Sequence, residues 1–305
     1  MLDSGARAAQ SRPRAFFSVH FPGRTTPLEP HTIIEAARST LRFYKADCLD
    51  VFSTLAQGSV SAIVTSPPYN LGIRYRSYDD ALPHERYLEW SGEWIGAARR
   101  VLDPMGSLFL NVGAKPTDPW TALDVAQAAR KHLQLQNTIH WVKSIAIDKL
   151  AGDGADLSVG HYKPINSGRF LNDCHEFVFH FTPEGRTPLE RTAIGVPYQD
   201  ASNIARWRSG GSNLRCRGNT WFIPYETIQS RDKDRPHPAT FPPRLPEYCF
   251  RLHGLPRVTL AMDPFLGLGS SAVAAAQLGI DFIGVEMDAD YLDEAIARVR
   301  SALSS

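Results

Sequence analysis

The feature that most constrains this chain is a recurring alternation of short apolar, β-branched runs with helix-spaced segments. Residues 41–46 read as a strand ending at Asp47, and residues 60–65 as a second, buried strand, short and β-branched as parallel strands are. Residues 84–102 have helical spacing through Tyr87, Trp90, Trp94, Ala97, Ala98 and Val101. The turn Asp103-Pro104-Met105-Gly106 then leads into a strand at 107–112. A helix at 120–133 and a strand at 138–142 continue the pattern. It resumes near the C-terminus as strand 257–262, helix 270–278 and strand 281–285, the last ending at Glu286. The last helix starts near Ala289 and puts Leu292, Ile296, Val299 and Leu303 on one face. Such alternation builds a parallel sheet covered on both faces, so the expected fold is a doubly wound α/β domain.

Two stretches interrupt the pattern, at about 144–168 and 183–235. They are polar, contain glycine and lack a sustained period, and loops of that length in a compact domain are usually functional or disordered. Residues 1–38 are rich in Arg, Pro, Ser and Thr and are expected to form a partly mobile N-terminal extension with a short helix near 33–38. The main domain is then 39–305. Apolar content of 43% and charged content of 21% suit a globular enzyme. The chain has no apolar run near the roughly 18 residues that span a bilayer, and no secretory signal pattern. Cys48, Cys174, Cys216 and Cys249 are widely spaced without a C-x-x-C pair, which speaks against disulfides and zinc and fits a reducing cytoplasm.

Two strand ends carry unusual strings. Asp263-Pro264-Phe265-Leu266-Gly267-Leu268-Gly269-Ser270-Ser271 joins a strand to a helix, where glycines without a Cβ let backbone approach a ligand. Glu286 ends the next strand, in reach of ribose hydroxyls of a bound nucleoside. The third glycine of a dinucleotide turn is missing, so NAD-type cofactors are disfavoured. The other string, Ser66-Pro67-Pro68-Tyr69, leaves the strand at 60–65, and its two prolines restrict the backbone. Alone, each string is compatible with an ordinary loop, the Ser-Pro-Pro corner with Tyr69 as packing.

Together and in this order, they resemble the β-class of DNA amino-methyltransferases, over roughly residues 41–300. That class has the catalytic string first, a target-recognition region next and the cofactor turn last. Trp141-Val142-Lys143 and the run from Phe170 to Phe177 are further likenesses. The resemblance implies a Rossmann-like fold and S-adenosyl-L-methionine as cofactor. It implies cofactor contacts from Asp47, His237, Phe241, Asp263, Phe265, Gly267, Gly269, Ser271 and Glu286. It makes Ser66, Pro67, Pro68 and Tyr69 the catalytic string and places target recognition in 144–168 and 183–235. The implied partner is double-stranded DNA. A homodimer and a cognate restriction endonuclease that forms no stable complex are compatible with it.

Methylating an exocyclic amine requires its nitrogen to pyramidalise before it attacks the methyl group. Acceptors such as Ser66 Oγ and the Pro67 carbonyl, held in place beforehand, promote that change. Tyr69 offers a ring for the base to stack on, worth about 1–3 kcal/mol, after the base has left the duplex. In the class, Ser at the first position typifies cytosine-N4 enzymes and Asp adenine-N6 enzymes, so Ser66 favours cytosine N4. Adenine N6, an RNA substrate and an inactive DNA-binding module remain as alternatives. Cytosine-C5 chemistry needs a cysteine after a proline, which this chain lacks.

With a net charge of +1, any surface for DNA must be local. Arg206, Arg208, Arg215 and Arg217 flank Trp207 in a stretch without acids, and arginine grips both guanine and phosphate. This group is the expected DNA contact, although a solvated loop would have the same composition. His175 and His180 are five apart in a strand-like run and so point to opposite faces. No metal site is expected there. Trp221 is expected in the core.

Overall fold

The computed structural model describes residues 28–70, 72, 80–148, 157–160, 165–206, 212–224 and 240–304. The chain begins with β1 (Thr32–Glu35), β2 (Thr40–Lys45), α1 (Cys48–Thr54), β3 (Val60–Thr65), α2 (His84–Val101) and β4 (Leu102–Val112). It continues through α3 (Trp120–Ala129), β5 (Gln134–Val142), β6 (Ser144–Ile147), β7 (Leu157–Gly160), β8 (His175–Thr182), α4 (Ser202–Arg206) and β9 (Thr220–Phe222). Last come α5 (Arg244–His253), β10 (Ala261–Asp263), α6 (Ser270–Leu278), β11 (Phe282–Glu286) and α7 (Ala289–Ser304).

Nine strands form one sheet in the order β1-β2-β11-β10-β3-β4-β8-β5-β9. The run from β2 to β4 is parallel, as the alternation of strands and helices requires. β8 pairs antiparallel with both β4 and β5, and β1 pairs antiparallel with β2, so the sheet is mixed at its flanks. The pleat sorts side chains between two cores. Phe43, Ala62, Val64, Phe109 and Phe282 face α5, α6 and α7, while Tyr44, Ile63, Leu108, Leu110 and Ile283 face α1, α2 and α3. Each fully buried side chain of this size contributes about 2 kcal/mol.

The strand order turns at one place. From β10 the chain crosses through α6 to β11 on one side, and from β3 through α2 to β4 on the other. A crevice opens at the carboxyl ends of strands where the order reverses in this way. Those ends are Thr65 and Asp263, so both unusual strings emerge at the same crevice.

Several expectations are corrected. The segment expected as a helix at 33–38 holds β1 instead, where Thr32↔Phe43 through Glu35↔Thr40 pair with β2 and the apolar residues are used in strand register. The Asp103–Gly106 turn is a bulge inside β4, since Val60 pairs with Leu102 but Ala62 with Ser107. The strand expected at 257–262 is only Ala261–Asp263, preceded by a 3₁₀ turn at Leu255–Arg257. The helix expected at 120–133 ends at Ala129. The stretch after Lys143 carries the antiparallel pair β6 and β7. Trp221 is buried, edge-on to Tyr248. No helix among the described residues is long and apolar enough to cross a membrane.

Candidate active site

β3 and β10 pair through Ala62 and Ile63 with Ala261 and Met262, and a hydrogen bond ties their ends, Thr65 Oγ1 donating to Asp263 Oδ1 at 2.6 Å. Asp263 also accepts from the Phe265 N–H at 3.0 Å and the Ser271 hydroxyl at 2.5 Å. It is 1% exposed, and burial pushes its carboxyl up to about 6 against these hydrogen bonds. Asp263 therefore organises the turn from behind it.

The cleft in front is lined by Asp47, Cys48, Thr240, Phe241, Phe265, Gly267, Leu268, Ser270, Glu286, Met287 and Tyr291. Glu286 closes the glycine turn, accepting from the Gly267 N–H at 2.9 Å through Oε2. Through Oε1 it accepts from the N–H groups of Met287 and Asp288. Burial raises its carboxyl above the ordinary value. Asp47 caps α1, accepting from the Leu49 N–H at 2.8 Å. Phe265 stands between Trp90 and Trp94, with ring centroids 5.5 and 5.1 Å away. Ser270 Oγ, at the start of α6, is buried with no hydrogen-bond partner among the described residues. An aromatic wall, two carboxylates and an orphaned hydroxyl at a helix N-terminus suit a ligand with a flat base, a ribose and an amino-acid end.

Ser66, Pro67, Pro68 and Tyr69, reached directly from β3, line the same cleft. Tyr87 of α2 donates to the Pro68 carbonyl at 2.9 Å, pinning the turn. Asn70 follows with φ of 58°. Its side chain accepts from the Leu82 N–H and donates to the Leu82 carbonyl, while its own N–H reaches Asp80. Behind the turn lies a polar network. Ser66 Oγ is 2.5 Å from the Tyr69 hydroxyl, which donates to Glu176 Oε2 at 3.1 Å. Asn111 Nδ2 donates to the Tyr69 oxygen at 2.6 Å and to Glu176 Oε2 at 2.7 Å, and Lys143 Nζ donates to Glu176 Oε1 at 2.8 Å. Burial works to raise the Glu176 carboxyl. The Lys143 charge and the bonds from Lys143, Asn111 and Tyr69 outweigh it, so the group lies below its usual value.

Of the residues expected from sequence, Ser66, Pro67, Pro68, Tyr69, Asp47, Phe241, Phe265, Gly267 and Glu286 meet at one cleft. Asp263 and Ser271 sit behind it, fully engaged with each other. Gly269 is also behind it: a Cβ there would lie 2.8 Å from the Ala295 Cβ, so its glycine permits α6 to pack on α7. His237 and Arg208 lie outside the described residues. Arg206 is exposed at the end of α4, and Arg215 is exposed beside the bridge to Val196. Arg217 is built into the fold, donating to the Ile194 carbonyl and lying 5.0 Å from the Tyr248 ring centre. Asn111, Trp90 and Asn70 were not singled out by sequence reasoning. Asn111 had a signal, as the one polar side chain in the apolar stretch 108–112. Among the described residues no group of three His, Cys, Asp or Glu side chains could hold a metal.

A family model described as DNA methylase, of the N6/N4 type, matches residues 60–297. The Type II methyltransferase M.BglII of Bacillus subtilis is 27% identical over 262 residues, covering 83% of this chain and 67% of that protein. The Type II methyltransferase M.HpaI of Haemophilus parainfluenzae is 26% identical, covering 85% of this chain and 74% of its own. Among solved structures, the cytosine-N4-specific PvuII DNA methyltransferase superposes with a TM-score of 0.60 at 16% identity, over 87% of this chain and 91% of that one. That likeness is one of fold.

Proposed function

This chain belongs to the N6/N4 DNA methylase family, and on that premise we propose that it is a site-specific methyltransferase acting on the N4 amine of cytosine in duplex DNA. S-adenosyl-L-methionine, when bound, supplies an electrophilic methyl group on a sulfonium. Asp47, Phe241, Phe265, Ser270 and Glu286 would hold it. The single observation that carries the choice of base is Ser66, a neutral hydroxyl lining the cleft at the position where Asp typifies the adenine enzymes of the class.

The protein's own part is to position and to exclude water. The cytosine leaves the stack and enters between Tyr69 and the cofactor wall, giving up a few kcal/mol of stacking and pairing. Ser66 Oγ accepts a hydrogen bond from the amine, drawing its lone pair out of conjugation. The bound cofactor would supply the methyl group to the nitrogen so presented, keeping the carbon–sulfur electron pair, and the proton the amine sheds would pass to water. Arg206 and Arg215, both exposed, are assigned to contacts with the DNA backbone and bases.

Mass spectrometry of nucleosides from duplex DNA incubated with the protein and methyl-labelled S-adenosylmethionine tests this reading. Labelled N4-methylcytosine is expected. Labelled N6-methyladenine would overturn the choice of base and leave the family assignment intact. Label in RNA alone would overturn the choice of nucleic acid.

A further inference from the structure

The proton order of the network behind Ser66 follows from which of its groups can only accept. Glu176 is a carboxylate paired with Lys143 and can only accept. The Tyr69 hydroxyl has one proton and lies 3.1 Å from Glu176 Oε2. Were that proton turned to Ser66 instead, the phenol oxygen and the carboxylate would face each other with no proton between them, an unfavourable contact in a site this buried. The phenol proton therefore goes to Glu176. The 2.5 Å contact between Ser66 Oγ and the phenol oxygen must then take its proton from Ser66. Asn111 enforces the same order, because facing the carboxylate with its amide nitrogen also makes it a donor to the phenol oxygen. Once its hydroxyl proton is committed to Tyr69, Ser66 Oγ has only lone pairs to offer the cleft.

We propose, building on the methyl-transfer reading above, that Glu176, paired with Lys143, is a positioning residue that acts through Tyr69 to hold Ser66 Oγ as an acceptor facing the reacting amine. A serine hydroxyl can otherwise donate as readily as it accepts, and a donor aimed at the amine would oppose the reaction. Glu176 comes from β8 and Lys143 directly follows β5, so two segments outside the crevice set the chemistry of a residue within it. The same device discriminates between substrates. An exocyclic amine supplies the N–H that such an acceptor needs, whereas a ring carbonyl at the same position does not.

The test is a double-mutant cycle on the full chain with Glu176→Gln and Tyr69→Phe, read as the single-turnover rate of methyl transfer to duplex DNA and, separately, as cofactor affinity. Each single variant should slow transfer by about 100-fold, the effect of losing one preorganised polar contact at a reacting centre, with cofactor affinity unchanged. The double variant should be no slower than the slower single variant, because both cut the same chain. Glu176→Asp should recover part of the rate. A wild-type rate in Glu176→Gln, or losses that multiply in the double variant, would overturn the proposal. Should Glu176→Gln fail to fold, Tyr69→Phe, which keeps the ring, carries the test alone, and a wild-type rate from it is equally fatal. Wild-type protein that transfers no methyl to DNA would instead overturn the functional reading beneath, before any variant is compared.

Discussion

Thr65 and Asp263, 198 residues apart in sequence, share a buried hydrogen bond that joins the strand carrying the Ser66 turn to the strand carrying the glycine turn. Asp263 takes up a proton more readily in the folded chain, near 6, than in the unfolded chain, near 3.8. The stability this confers is fully present below about pH 4 and is lost as pH rises through 6, a swing of about 3 kcal/mol. In urea unfolding, Asp263→Asn should abolish that slope. Asp263→Ala should destabilise at every pH, since it strands the Thr65 and Ser271 hydroxyls and the Phe265 N–H together.

Gly269→Ala should destabilise the fold by about 1–3 kcal/mol, through a φ of 72° and the crowding of Ala295. The folded fraction should bind S-adenosylmethionine as the wild type does. Calorimetric titration alongside thermal unfolding separates this from a role in contacting the cofactor, which would weaken binding directly.

Asn70 combines a left-handed backbone with two side-chain bonds to Leu82. Asn70→Ala should lose about 2 kcal/mol through both effects. Asn70→Gly accepts the backbone and forfeits only the bonds, so it should lose less. Urea midpoints of the two variants check the order.

His180 and His253 meet at the Ser107 hydroxyl, each 2.9 Å from it, in a pocket of the core closed to solvent. Burial pushes them down to about 3 and about 4, with the neighbouring positive charge of His253 or Arg257 adding to it. The stability held by keeping them neutral is complete above pH 6.5 and is lost as pH falls towards 4. This slope is opposite in sign to that of Asp263 over the same window. The acid limb of unfolding should therefore be clearest in Asp263→Asn and shallower when His180→Gln is added.

The central parallel strands were legible in the sequence because a strand buried on both faces shows no alternation of charged and apolar positions, as residues 60–65 show none. β1 was misread because Ile33 and Ile34 lie in a segment too short for either period to assert itself, and its pairing with β2 decided the matter. Of the other flank strands, β5 and β8 were legible as strands but not in direction, which depends on how the sheet edge is covered, and β9 lay in a stretch read as loop. At the site, the residues lining the cleft stood out through their strings, yet sequence could not tell a residue facing the cleft from one supporting it. Asp263, Ser271 and Gly269 belong to the same string as Phe265 and Gly267, and only packing divides them. Asn111 on β4, Glu176 on β8 and Lys143 just past β5 converge behind Ser66, a convergence that spacing along the chain does not encode.

Because the crevice is made by β3 lying beside β10, the distance between the two strings along the chain has no bearing on the chemistry. Any rewiring of the connections that kept those two strands adjacent and parallel, with their loops leaving on the same edge, would rebuild the same cleft. The order of the strings in the sequence is thus a record of how the chain is threaded, and the reaction itself is indifferent to permutation.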